Sequence, residues 1–240
     1  MEISSRASFV LRKSFVLRAD SKWNKSSTLL RECMQTLTPL DPRLNAIQGL
    51  LIYSLASNLW EREDFIEAEK QLRIWKPMKF MDPSLYETRS FVRILIGSAL
   101  VSLHQGHFTE AKDLLQRARE QYDPESRALL DVTASLADVF CELGKPSEAL
   151  KLLEPIIDLG ACLSNRYKRN CYVSYAEASI CLHNHKLAES VLVALKQHYK
   201  TTPNLDRHDQ RRHTQILVLL AQNLHRQASS IQEWQETSQQ

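Results

Sequence analysis

Apolar residues along the chain recur at the three- and four-residue spacing of helices. The clearest runs are Ile52, Leu55, Ala56 and Leu59; Leu95, Ala99 and Leu103; and Leu136, Ala137 and Phe140. Each run stops at a polar or glycine break and a second apolar run starts within a few residues. In "LHQGHFTEAKDLLQRA", residues 103–118, Gly106 ends one run and Ala111, Leu114 and Leu115 carry the next. No stretch shows the strict alternation of a half-buried strand. The pattern predicts about eleven or twelve helices and no sheet.

The break after Gly106 recurs. Ala111 has Phe108 three positions before it and Leu115 four after it. Ala68 stands in the same relation to Phe65 and Leu72, and Ala149 has Gly144 five before and Leu153 four after. Weaker copies centre on Ser26, Ser190 and Ser230. The six anchors are separated by 42, 43, 38, 41 and 40 residues. A period near forty predicts stacked helical hairpins in place of one compact core. A small residue also recurs on each first helix, at Ala56, Ala99, Ala137 and Ala178, where it lets two backbones approach. Proline-bearing connectors such as "TPLDPRLN", "KPMKFMDP" and "KTTPNLD" separate the hairpins. Residues 1–240 read as a single array of five to six hairpins, with 1–45 and 207–240 the weakest copies and candidate caps.

"QGHFTEAKDLLQRAREQYDPE", with Gly106, Phe108, Ala111, Leu115, Ala118 and Pro124 in order, resembles the tetratricopeptide repeat (TPR). "ELGKPSEALKLLEPI" resembles it through Gly144, Ala149, Leu153 and Ile156. The resemblance implies an all-α, right-handed solenoid. It is similar to divergent arrays in helical scaffold subunits and in the C-terminal sensor regions of fungal NTPase-type receptors. Two features depart from the family: the period exceeds its usual thirty-four residues, and Ile52, Leu95 and Thr133 occupy the place of its first-helix Trp.

Such arrays bind partners along first-helix residues that do not pack inside. The resemblance places Tyr53, Ser57 and Trp60 on that wall, then Arg93, Ile96, Leu100 and His104, then Asp131, Ala134, Asp138 and Glu142. Tyr172, Tyr175, Ser179, Leu182, Arg212 and Gln215 complete it. Tyrosines, leucines and alternating charge there suit a peptide or a partner helix. Chaperone-binding members clamp a carboxylate with Lys, Asn and Arg at places that here hold Tyr53 with Ser57, Ile96 with Leu100, and Ala134 with Asp138. That clamp is missing.

Composition sharpens this picture. The net charge of +3 is small for a dedicated nucleic-acid binder. Basic clusters do stand at both ends: Arg6, Arg12, Lys13 and Arg18, and then Arg207, His208, Arg211, Arg212 and His213. They lack the interleaved aromatics of RNA binding, so nucleic acid is the disfavoured partner. The five cysteines form no C-x-x-C pair and read as free, buried thiols of a reducing compartment. "SRASFVLRKSFVLR" resembles an amphipathic mitochondrial presequence, but reads better as the first helix of the fold, which favours a cytoplasmic or nuclear protein. No apolar run reaches the length of a membrane span.

No nucleotide-binding glycine motif, nucleophile elbow or metal-ligand spacing occurs. His104 with His107 and His183 with His185 flank turns without a ligand set around them. The sequence therefore predicts a non-catalytic interaction scaffold or adaptor with a protein or peptide partner, without cofactor or metal. The competing readings are an accessory or catalytic component of an enzyme built on helical repeats, and a regulator touching nucleic acid through its basic ends.

Overall fold

A computed structural model describes residues 3–37, 42–76, 85–122, 126–158, 163–203, 205 and 207–237. Among them are eleven α-helices and one 3-10 turn, Glu154–Ile156, and no strand. The contacts divide the chain into two compact units, Met1–Tyr122 and Asp123–Gln240. The first holds α1 (Ile3–Ala19), α2 (Trp23–Gln35), α3 (Pro42–Trp60), α4 (Phe65–Ile74), α5 (Leu85–His104) and α6 (Phe108–Glu120). The second holds α7 (Arg127–Glu142), α8 (Pro146–Leu153), α9 (Arg166–Cys181), α10 (His185–Thr201) and α11 (Arg207–Thr237).

Five hairpins, α1–α2, α3–α4, α5–α6, α7–α8 and α9–α10, are built on one plan. Each turn contains a residue with left-handed backbone: Ser21, Glu63, Gly106, Gly144 and His183, with φ between 60° and 78°. The N–H of the next residue then bonds a carbonyl five positions back, as in Asp64 to Leu59 (3.0 Å), His107 to Ser102 (2.8 Å) and Asn184 to Ser179 (2.8 Å). These bonds satisfy carbonyls left open at the end of the first helix. Five residues after each left-handed position comes a small, fully buried residue: Ser26, Ala68, Ala111, Ala149 and Ala188. Four further on lies a buried leucine: Leu30, Leu72, Leu115, Leu153 and Leu192. Burying one leucine contributes about 1.5–3 kcal/mol, so this layer holds each hairpin closed.

The small anchor of the fifth hairpin is thus Ala188. Ser190, the expected anchor, is exposed and returns its hydroxyl to the Leu187 carbonyl of its own helix, at 2.8 Å. The same two-residue shift applies on the first helix. The partners twelve residues before the anchors are Ser14, Ala56, Ala99, Ala137 and Ala176. Ala178 is buried too, but does not stand at that place in the register. In α1–α2 both crossing residues are serines, and their hydroxyls bond each other at 2.8 Å. Asn58 donates to the Ser26 hydroxyl at 2.8 Å, tying the second hairpin to the first.

No sixth hairpin forms among the described residues, because α11 runs on through the expected turn. The side chains of Ser230 and Trp234 lie outside the described residues. In the first unit Leu51, Leu55, Leu59, Leu72 and Trp75 form the centre of the core. Tyr172, Val173, Val191, Leu195 and Ile216 do so in the second. There the buried Arg169 joins three helices: its Nη2 donates to Asp209 at 2.9 Å and its Nε to the Tyr199 hydroxyl at 3.0 Å. A charge so enclosed is tolerated because each donor finds an acceptor. Of the thiols, Cys33 and Cys171 are buried and Cys141 is half-buried, but Cys181 is exposed. Cys162 lies outside the described residues.

Candidate functional site

In the second unit α7 and α9 are first helices of the hairpin plan, α11 follows the last hairpin, and α9 contacts both of the others. The polar side chains they present pair across helices at about one repeat spacing. Asn170 of α9 donates to Asp131 of α7 at 2.9 Å, thirty-nine residues away. Gln215 of α11 donates to Glu177 of α9 at 2.9 Å, thirty-eight residues away. Arg212 in turn donates to the Gln215 amide oxygen at 2.7 Å. Asp138 stands thirty-nine residues before Glu177, at the corresponding place on α7.

This column concentrates carboxyls at a partly dry surface. Burial holds the Asp138 carboxyl far above the usual range, at about 7, and the nearby Glu177 and Asp131 reinforce it. The Ser174 hydroxyl and Arg212 oppose the rise. Burial also raises Glu177, with Glu142 adding to it and Gln215 and Arg212 pulling the other way. Asp138 Oδ1 is out of contact with solvent and has no hydrogen-bond partner among the described residues. An unpaired oxygen of this kind is costly, and a hydrogen-bond donor placed against it would recover that cost. Beside it, burial pushes the Cys141 and Cys171 thiols up to about 12, which keeps them protonated and poor nucleophiles.

In the first unit the expected wall residues form two pairs. Trp60 donates its indole N–H to His104 Nε2 at 3.1 Å, and His104 stacks on Phe65 with ring centres 4.6 Å apart. Partial burial lowers the His104 pKa, against the opposing pull of Glu63. That suits an Nε2 that must stay unprotonated to accept. Arg93 lies over the Tyr53 ring at 5.3 Å. Ile96 and Leu100 are half-buried.

The structure thus brings Asp131, Asp138, Arg212 and Gln215 into a connected surface, and joins Tyr53 with Arg93 and Trp60 with His104. Tyr175 is half-buried, and burial raises its hydroxyl pKa. It does not place Tyr172 there. That ring is core, and its hydroxyl donates to the Asp158 carbonyl and accepts from the Asp158 N–H at 2.9 Å. Ser179 is buried against its own helix. The α9 residues that do face the wall are Asn170, Ser174 and Glu177. Counting thirty-nine residues on from Asp131 and Asp138 reaches Asn170 and Glu177, a signal present in the sequence but hidden by the Ser190 register. Of the second basic cluster, Arg212 joins the wall and His213 stacks on Tyr199, with ring centres 5.8 Å apart. The side chains of Arg207 and His208 lie outside the described residues. Among the described residues no three His, Cys, Asp or Glu side chains converge as a metal set. None of the described helices is long and apolar enough to cross a membrane.

Solved structures share this fold. A kinesin light chain-like protein of Podosopora anserina with nearly identical TPR-like repeats superposes with a TM-score of 0.60 at 17% identity, covering 84% of this chain and 100% of its own. A thermophilic TPR protein of Thermus thermophilus gives 0.56 at 15% identity, covering 88% and 99%. The fold is a divergent TPR-like helical repeat. No family model matches the sequence, and no curated protein matches it. At these identities the likeness is one of fold.

Proposed function

We propose that the chain is a non-catalytic interaction scaffold whose second unit takes a basic peptide segment on the wall of α7, α9 and α11. The observation that carries this reading is Asp138 beside Glu177: two carboxyls held on neighbouring first helices, one with a buried oxygen lacking a donor. A Lys or Arg side chain laid along the wall brings a counter-charge to this pair of carboxyls. Gln215 donates to the Glu177 carboxylate and Arg212 donates to Gln215, which keeps that carboxylate oriented. The TPR-like fold supports the general role, since such repeats present extended binding surfaces.

Fluorescence anisotropy with a labelled Lys/Arg-rich peptide and its Glu-rich counterpart tests the reading. The basic peptide binds, the acidic one does not bind at this wall, and Glu177→Gln weakens the basic peptide about tenfold, the lower end for one charged hydrogen bond. Equal affinity of wild type and Glu177→Gln for the basic peptide would refute it.

A further inference from the structure

The first unit carries a second surface of opposite character, and its test does not depend on the acidic wall. Helix α1 buries Ala7, Val10 and Ser14 against the unit, yet Phe9, Phe15 and Val16 remain 59%, 56% and 58% exposed. Scattered apolar residues on a surface are ordinary; Phe9 and Val16, seven positions apart and so stacked on one side of α1, form an exposed apolar stripe, with Phe15 a third of a turn away. Phe9 also walls a groove of about 540 Å³ between α1 and α2. Buried Val10 and Cys33, with Leu29, line that groove, and Arg6 and Glu32 stand beside them.

The charges that α1 itself carries are of one sign, while Glu32 of α2 stands at the groove. Residues 3–19 contain Arg6, Arg12, Lys13 and Arg18 and no Asp or Glu. Arg6, Arg12 and Lys13 are exposed. Lys13 lies over the Phe9 ring at 5.9 Å and Arg18 over the Phe15 ring at 5.7 Å, so cation and apolar surface are presented together. A second copy of the same face would set these cations against their own kind. A flat anionic membrane would not fill a concave floor between two helices.

We propose that the α1–α2 groove docks a short amphipathic helix of another protein, with an aliphatic or aromatic anchor seated against Phe9, Val10 and Leu29 and Asp or Glu side chains meeting Arg12 and Lys13. Helix-in-groove binding of this type needs one apolar anchor stripe and flanking charge, and this face offers the complement of both.

A labelled helical peptide with leucines on one face and glutamates on the other serves as the probe. Its lysine-for-glutamate twin and vesicles of phosphatidylcholine with phosphatidylserine are the comparison arms. Phe9→Ser and the double variant Arg12→Glu with Lys13→Glu alter only exposed side chains, and unchanged melting confirms that α1 stays packed. The glutamate peptide binds wild type, and Phe9→Ser weakens it about tenfold or more, as loss of a central aromatic anchor does. The double charge reversal abolishes binding, and added salt weakens it. Glu177→Gln leaves this binding unchanged, which separates it from the acidic wall. The proposal is overturned if the glutamate peptide fails to bind, or if it binds Phe9→Ser as well as wild type. It is equally overturned if Glu177→Gln abolishes binding, or if vesicles bind through Phe9 while the peptide does not.

Discussion

Asp138 shows how a single carboxyl connects stability to recognition. In the folded chain it keeps its proton up to about pH 7, chiefly through burial, whereas an unfolded Asp releases it near 4. Between those values the folded state holds the extra proton, so this group's contribution to stability declines as pH rises through that window. Urea unfolding at about pH 5 and about pH 8 should show the decline, and Asp138→Asn should remove its share of it. The turn residues give a second prediction. Gly106 has φ 78°, where a side chain costs roughly 1–2 kcal/mol, so Gly106→Ala destabilises by about that amount. Glu63 and His183 already bear that cost at φ 63° and 60°. Glu63→Gly is therefore neutral or stabilising by up to about 1 kcal/mol, read from the shift in denaturation midpoint. Gly106 and Gly144 announced their turns in the sequence. Ser21, Glu63 and His183 did not, because the five-back hydrogen bond and the closing hairpin impose that backbone on whatever residue occupies the place.

At the scale of the helix, legibility depended on how many frames a segment could satisfy. "HFTEAKDLL" fits the hairpin plan in one register, and the structure keeps that register. "HKLAESVLVA" fits two, one with Leu187 and Ser190 and one with His185, Ala188 and Leu192. Packing selects the second, because Leu192 then enters the core while Ser190 faces water. The misplaced frame shifted the wall of α9 by two residues, which put Tyr172 on the surface and hid Glu177. The continuous α11 was also not foreseen: "QASSIQEW" mimics an anchor, but no glycine or proline near it stops the helix. Large-for-small substitution separates the two frames. Ala188→Phe must open the α9–α10 crossing and destabilises by about 1–3 kcal/mol. Ser190→Phe stays within about 0.5 kcal/mol. Thermal or urea unfolding of the two variants reads this directly, and a reversed order would return the register to Ser190.

Across the whole molecule the same plan carries different charge in its two units. Arg93 in the first and Asp131 in the second hold equivalent places on first helices, and Leu100 and Asp138 do likewise. The repeat supplies the scaffold, and the residues at these places decide what each unit attracts. The central claim is that Asp138 and Glu177 form a wall for a basic segment, and the pH dependence of binding tests it most directly. A cationic peptide favours the ionised carboxyl, while free Asp138 keeps its proton below about pH 7. Wild type should therefore bind a Lys/Arg-rich peptide more tightly as pH rises from about 6 to about 8, and calorimetry in two buffers at the lower pH should show proton release on binding. Asp138→Asn should flatten that dependence. Affinity that is unchanged over this range, or that is greatest at the acid end, would contradict the account.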